Sequence, residues 1–261
     1  MNQETLSTGL VSVTFRGLEP RRIVELVRQT GLNAIEWGGD IHVPHGDVTR
    51  AREVREMTRE AGLSIAAYGS YYRAGVSEAE GLPFERVLET AVELGAPTVR
   101  VWAGNKASAD ASAEDRRRVA DDLRRTVTLA AAAGVTVSLE YHANTLTDTI
   151  DSARALLDDV PALRTLWQPP NHEPVEHCVA SLNSVLDRLT NVHVFHWSGP
   201  TKDRRPLSEG EPRWRQYFDV LRAHGGARSA LLEFVRDDSP EQFLADAATL
   251  KDWVAAGSAA R

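Results

Sequence analysis

The stretch EDRRRVADDLRRTVTLAAAAGVTVSLE, residues 114–140, contains the unit from which the whole chain is built. A charged opening and a long amphipathic run predict a helix, Gly134 supplies a helix-ending signal, and VTVSLE comes next at once as a strand. Side chains alternate faces along a strand, so Val135, Val137 and Leu139 share one face while Thr136, Ser138 and Glu140 share the other. The apolar set belongs against surrounding helices. Glu140 is therefore turned inward.

The same strand-then-helix beat recurs on both sides of this unit. Strands are predicted near 10–15, 33–37, 63–68, 98–102, 135–140, 163–168, 191–197 and 229–235, separated by amphipathic stretches such as PRRIVELVRQTG and FERVLETAVELGA. Eight such units with no linker or composition break predict an α/β protein. The expected fold is a single (β/α)8 TIM barrel over residues 1–261, close to the usual barrel size of about 250 residues. A doubly wound open sheet would call for a Gly-rich phosphate fingerprint after the first strand, and the sequence has none there.

Composition narrows the function classes. The 261 residues are 42% hydrophobic and carry 30 basic against 37 acidic side chains, a net charge of −7, which disfavours nucleic acid as a partner. Cys178 is the only cysteine, so no internal disulfide forms. No apolar run approaches the ~20 residues of a membrane span, and MNQETLSTGL lacks the regions of a signal peptide. A soluble, cytoplasmic protein without membrane contact is expected. Barrel enzymes commonly dimerise, so a homodimer is compatible with this reading, although no residue pattern selects it.

Alternation also orients the other strands. It turns Ser12 and Thr14 inward on the first, Tyr68 on the third, Arg100 and Trp102 on the fourth, and Leu231 and Glu233 on the eighth. In NVHVFHWSG, residues 191–199, Val192 and Val194 form the outer face, so His193, Phe195 and Trp197 turn inward. His196 reaches the barrel mouth only if the strand ends or bulges at Phe195. Barrel enzymes keep their active sites at the C-terminal ends of the strands, where these residues fall.

The segments AIEWGGDIHVPHGD (34–47), SLEYHANTLTD (138–148) and ALLEFVRDDSPEQFLADAATLKDW (230–253) resemble the xylose-isomerase-like TIM-barrel superfamily of sugar isomerases and epimerases. The resemblance implies a divalent metal (Mn, Mg, Co or Zn) at the mouth, held by Glu140, Gln168, His193 or His196, and Glu233. Gln168, in TLWQPPNHEP, stands where the superfamily has Asp. An amide oxygen still coordinates a hard cation but brings no charge, so affinity should fall. The resemblance further implies that Glu140 and Glu233 act as the acid/base pair, moving a proton beside a carbonyl through an enediolate.

The expected substrate is a carbohydrate: a ketose, polyol or sugar derivative. His42 and His45 lie in the loop after the second strand, within reach of substrate hydroxyls, and Tyr68 and Trp102 belong to an aromatic rim. His142 shares the face of Glu140, and His172 lies just beyond Gln168. Lys202 and Arg205 lie in the seventh loop, where phosphate or carboxylate docks in many barrels. Two alternatives stand beside the isomerase or epimerase: a lyase or hydrolase acting on an oxidised sugar or glycoside through the same enolate chemistry, and a non-catalytic ligand-binding barrel, which Gln168 favours.

Overall fold

The structure is a computed structural model describing residues 6–170, 173–198, 203–226 and 228–256. Eight parallel strands close into a barrel: β1 (Ser7–Val11), β2 (Ala34–Gly38), β3 (Ser64–Arg73), β4 (Thr98–Trp102), β5 (Thr136–Glu140), β6 (Arg164–Trp167), β7 (Leu189–Val194) and, last in the chain, β10 (Ser229–Leu232). The closing pair joins β1 to β10, with Ser7 opposite Ser229 and Leu10 opposite Leu232. Two short strands, β8 (Trp197–Ser198) and β9 (Asp203–Arg204), form a separate antiparallel pair after β7.

Helices α1 (Pro20–Thr30), α2 (Val48–Glu60), α3 (Phe84–Leu94), α4 (Ala113–Ala132), α5 (Ile150–Asp159), α6 (Val175–Val185), α7 (Glu211–His224) and α8 (Pro240–Ala256) surround the barrel. Local sequence sets their ends. Ser112 and Asp115 form a reciprocal capping box at the start of α4, satisfying amides that the first helical turn leaves without partners. Gly31 ends α1 at φ 71°, in the left-handed conformation that a side chain resists.

The main hydrophobic core lies between barrel and helices, where Ile35, Val99, Val137, Leu139, Val192 and Val194 meet the apolar stripes of the helices. A second, small cluster of Val11, Val13, Ala34 and Leu231 fills the barrel interior. Below the mouth the barrel is thus a packed core.

Three strand assignments are corrected. The first strand ends at Val11, and Ser12–Phe15 form a 3-10 turn, so Val11 faces the interior instead of Ser12 and Thr14 pointing inward from a strand. The register of β2 against β3 slips after Ile35, which pairs with Ile65 while Glu36 pairs with Ala67. That slip reverses the face of the next residues of β3, and Tyr68 packs in the outer core. The seventh strand ends at Val194, and Trp197 belongs to the short antiparallel pair.

Candidate active site

Five charged side chains from five strands or strand ends meet inside the barrel. Glu36 on β2 lies at the centre and is 0% exposed. On one side its Oε1 accepts from Arg100 Nε on β4 at 2.6 Å. The Arg100 Nη1 in turn donates to Glu140 Oε2 at the end of β5. On the other side Glu36 Oε2 lies 3.1 Å from His193 Nε2 on β7, and His193 Nδ1 lies 3.2 Å from Glu233 Oε2, just past β10. The result is one chain of alternating charge: Glu140, Arg100, Glu36, His193, Glu233.

This packing sets the electrostatics. Burial opposes ionisation of Glu36, but His193 and Arg100 outweigh it and hold the carboxyl down at about 2. Burial likewise opposes a charged imidazole, yet Glu233 and Glu36 push His193 up to about 10. Glu140 is buried too, and Arg100, then His193, holds its carboxyl below the usual range. At neutral pH the anions Glu140 and Glu36 therefore interleave with the cations Arg100 and His193.

The two mouth glutamates differ in their surroundings. Glu140 Oε2 also accepts from Trp102 Nε1 at 2.5 Å, and its Oε1 accepts from Gln168 Nε2 at 3.1 Å. Glu233 accepts no aligned side-chain hydrogen bond from any described residue. Its Oε2 has only the contact with His193.

The metal implied by the resemblance can be tested against these donors. Gln168 Nε2 faces two acceptors, Glu140 Oε1 and Tyr141 O, so its amide must present N–H to the site's carboxylate. Both oxygens of Glu140 are taken by N–H donors. Both ring nitrogens of His193 face carboxylates, Nε2 toward Glu36 and Nδ1 toward Glu233, so neither is turned to an open coordination position. Among the described residues no group of three or more His, Cys, Asp or Glu is arranged to hold an ion. As they stand, the four positions do not fit a divalent cation, and the positive charge beneath the mouth comes from Arg100 and His193.

The other expected residues separate into groups. Trp102 lines the mouth beside Glu140, and His142 stacks on its indole at 4.8 Å. His196 turns away from the axis because the strand has ended. It lies against Gly210, where an added Cβ would come within 2.9 Å of the ring, and lines a side cavity of about 30 Å³ with Pro169, Trp214 and Tyr217.

His42 is buried and anchors its loop through Ser12 Oγ at 2.9 Å and Phe15 O at 3.3 Å, so it is no free substrate ligand. Tyr68, fully buried, spends its hydroxyl on Val43 O and on His45 Nδ1, at 2.8 and 2.7 Å; this occupies Tyr68 and one ring nitrogen of His45 in holding the loop. Arg205 is exposed and donates to Ser198 Oγ, bracing the antiparallel pair. His172 and Lys202 lie outside the described residues.

Glu36 is the site residue that reading the sequence missed. Its signal was a lone acid between Ile35 and Trp37 in the short second strand. Alternation puts it on the face of Ala34, inward. A buried charge calls for a partner, and Arg100 on the fourth strand was in view.

The fold and site define a (β/α)8 barrel with its charged centre at the C-terminal end of the strands, the arrangement of barrel enzymes. The sequence profile of the xylose isomerase-like TIM barrel family matches residues 24–253, and the chain belongs to that family. It is 30% identical over 149 residues to a 3-dehydroshikimate dehydratase of Bacillus anthracis; the match spans 53% of this chain and 51% of the relative. The chain thus matches about half the length of that curated relative.

Many solved structures share the fold. The "probable 3-DHS dehydratase" of Bacillus anthracis superposes with a TM-score of 0.79 at 22% identity, over 94% of this chain and 99% of its own. A D-psicose 3-epimerase does so with a TM-score of 0.72 at 15% identity, over 95% and 99%. No helix among the described residues is long and apolar enough to cross a membrane.

Proposed function

We propose that the protein is a lyase that removes water from a cyclic, polyhydroxylated carbonyl compound of the 3-dehydroshikimate type. The observation that carries this reading is the inequality of the two mouth carboxylates. Epimerisation through opposed bases needs two carboxylates free to exchange protons with carbon. Here both oxygens of Glu140 are held, by Arg100, Trp102 and Gln168, whereas Glu233 is met only at Oε2, by His193, and its Oε1 has no side-chain partner among the described residues. One free base suits an elimination. The partial likeness to a 3-dehydroshikimate dehydratase supports the same reading.

In this reading Glu233 takes the proton from the carbon beside the carbonyl, and the electron pair moves to the carbonyl oxygen as an enolate. Collapse of the enolate expels the hydroxyl one carbon further on, which leaves as water with the proton from Glu233. Arg100 and protonated His193, fixed below the mouth in a medium of low dielectric, stabilise the transient negative charge. His142, stacked on the Trp102 indole, offers its imidazole as a flat surface for a ring.

Incubation with 3-dehydroshikimate should yield dihydroxybenzoate, formed when the dienone left by elimination loses a proton from its ring CH2 and gains one on the carbonyl oxygen, and detected by its absorbance and by chromatography. A ketose panel in D₂O supplies the contrast. Deuterium at the carbon beside the carbonyl without loss of water would return the isomerase or epimerase reading expected from the sequence and overturn this one.

A further inference from the structure

Arg73 closes β3 directly opposite Trp102, the last residue of β4, and so lies at the barrel mouth. It is half-buried, and its guanidinium lies over the Trp102 indole at 5.2 Å from the ring centroid. Its side chain makes no hydrogen bond or ion pair with any described residue. The neighbouring mouth arginines are all engaged: Arg16 with Asp40, Arg100 with Glu36 and Glu140, and Arg204 with Asp238. The same indole that carries Arg73 donates to Glu140, so the unpaired guanidinium and the site's carboxylate are one indole apart.

We infer that Arg73 is the docking point for a carboxylate on the substrate. A guanidinium matches a carboxylate with two parallel N–H donors, and stacking on Trp102 holds its plane ready before the ligand arrives. The inference deepens the lyase reading and rests on it for the ring, but not for the charge. It places the acidic group on the β3–β4 side of the mouth, away from the seventh loop where the sequence suggested an anion site. There Arg204 is paired with Asp238 and Arg205 is bonded to Ser198 Oγ.

Calorimetric titration tests the assignment with two acid–neutral pairs, 3,4-dihydroxybenzoate against its carboxamide and glucuronate against glucose, on the wild type, Arg73→Gln and Arg73→Lys. The wild type should prefer the acid in at least one pair. Arg73→Gln should weaken acid binding by about ten- to a hundred-fold, the scale of a charge-assisted pair, and leave the neutral ligand unchanged. Arg73→Lys should retain part of the preference. Circular dichroism and melting confirm that the variants fold.

Acid preference in the glucuronate pair alone, lost in Arg73→Gln, keeps the assignment and removes the dehydroshikimate-type ring. Unchanged acid binding in Arg73→Gln, equal loss of acid and neutral ligand, or no binding of any probe by the wild type would each overturn it. Arg73-dependent binding of inorganic phosphate tighter than either acid would do the same.

Discussion

His193 and Glu36 face each other across the barrel interior, 3.1 Å apart and both 0% exposed, joining strands that are not neighbours in the sheet. A buried pair of this kind is a poor guide to net stability, because desolvation offsets much of the attraction. Its value lies in geometry. It ties the support of Glu140 to the support of Glu233, so neither mouth carboxylate is set independently.

Stability should vary with pH in two limbs. Glu36 lies at about 2 in the fold against an ordinary 4.5, so its contribution is complete above about pH 4.5 and is lost as pH falls toward 2. His193 lies at about 10 against 6.5, so its contribution is complete below about pH 6.5 and is lost as pH rises through 10. Urea unfolding across pH should give a plateau between these limits. His193→Gln should be less stable and should lose the alkaline limb; the same alkaline fall in the variant would contradict the pairing.

The two glutamates should fail differently. Glu233→Gln should lower turnover by about 10²- to 10⁴-fold, the scale of a lost general base. Glu140→Gln leaves the Arg100 charge short of a partner and should lower folding stability by about 2–4 kcal/mol. Steady-state kinetics and chemical unfolding on both variants separate these effects. Equal losses of activity and stability in the two would contradict their assigned difference.

Gln168→Asp replaces an N–H donor with a carboxylate. It frees Oε1 of Glu140 and adds charge, so Mn²⁺ affinity should rise by about 1–3 kcal/mol, measured by calorimetric titration of wild type and variant. Strong Mn²⁺ binding by the wild type, unchanged in Gln168→Asp, would show that the donors rearrange around a cation.

Gly69 gives Arg100 its space. A Cβ there would lie 2.4 Å from Arg100 Nη2 and 2.9 Å from Glu36 Oε1. Gly69→Ala should therefore lower stability by about 1–3 kcal/mol, the usual cost of overpacking. A melting temperature equal to that of the wild type would mean that the guanidinium moves aside freely.

Much of this architecture is legible in the sequence, because the beat of strand and helix is periodic and periodicity survives local error. The inward direction of Glu140, His193 and Arg100 comes from alternation alone. Alternation fails where pairing slips. The register shift after Ile35 moves Tyr68 into the outer core, and the end of β7 at Val194 takes His196 away from the axis. The role of Gln168 is illegible for another reason: an amide offers both an oxygen and N–H groups, and only its neighbours decide which faces the site.

The alternating chain of five charges also constrains how this barrel can diverge. Exchange of Glu36, Arg100 or His193 alone leaves a buried partner uncompensated, at a cost of about 3–5 kcal/mol, a large share of the whole stability of an ordinary domain. Viable descendants are therefore expected to replace these residues in concert, exchanging anion and cation together or giving up the set for apolar side chains. The outer rim carries no such linkage, and residues such as Arg73 are free to vary one at a time. Substrate preference can then drift around a charged floor that changes only as a block.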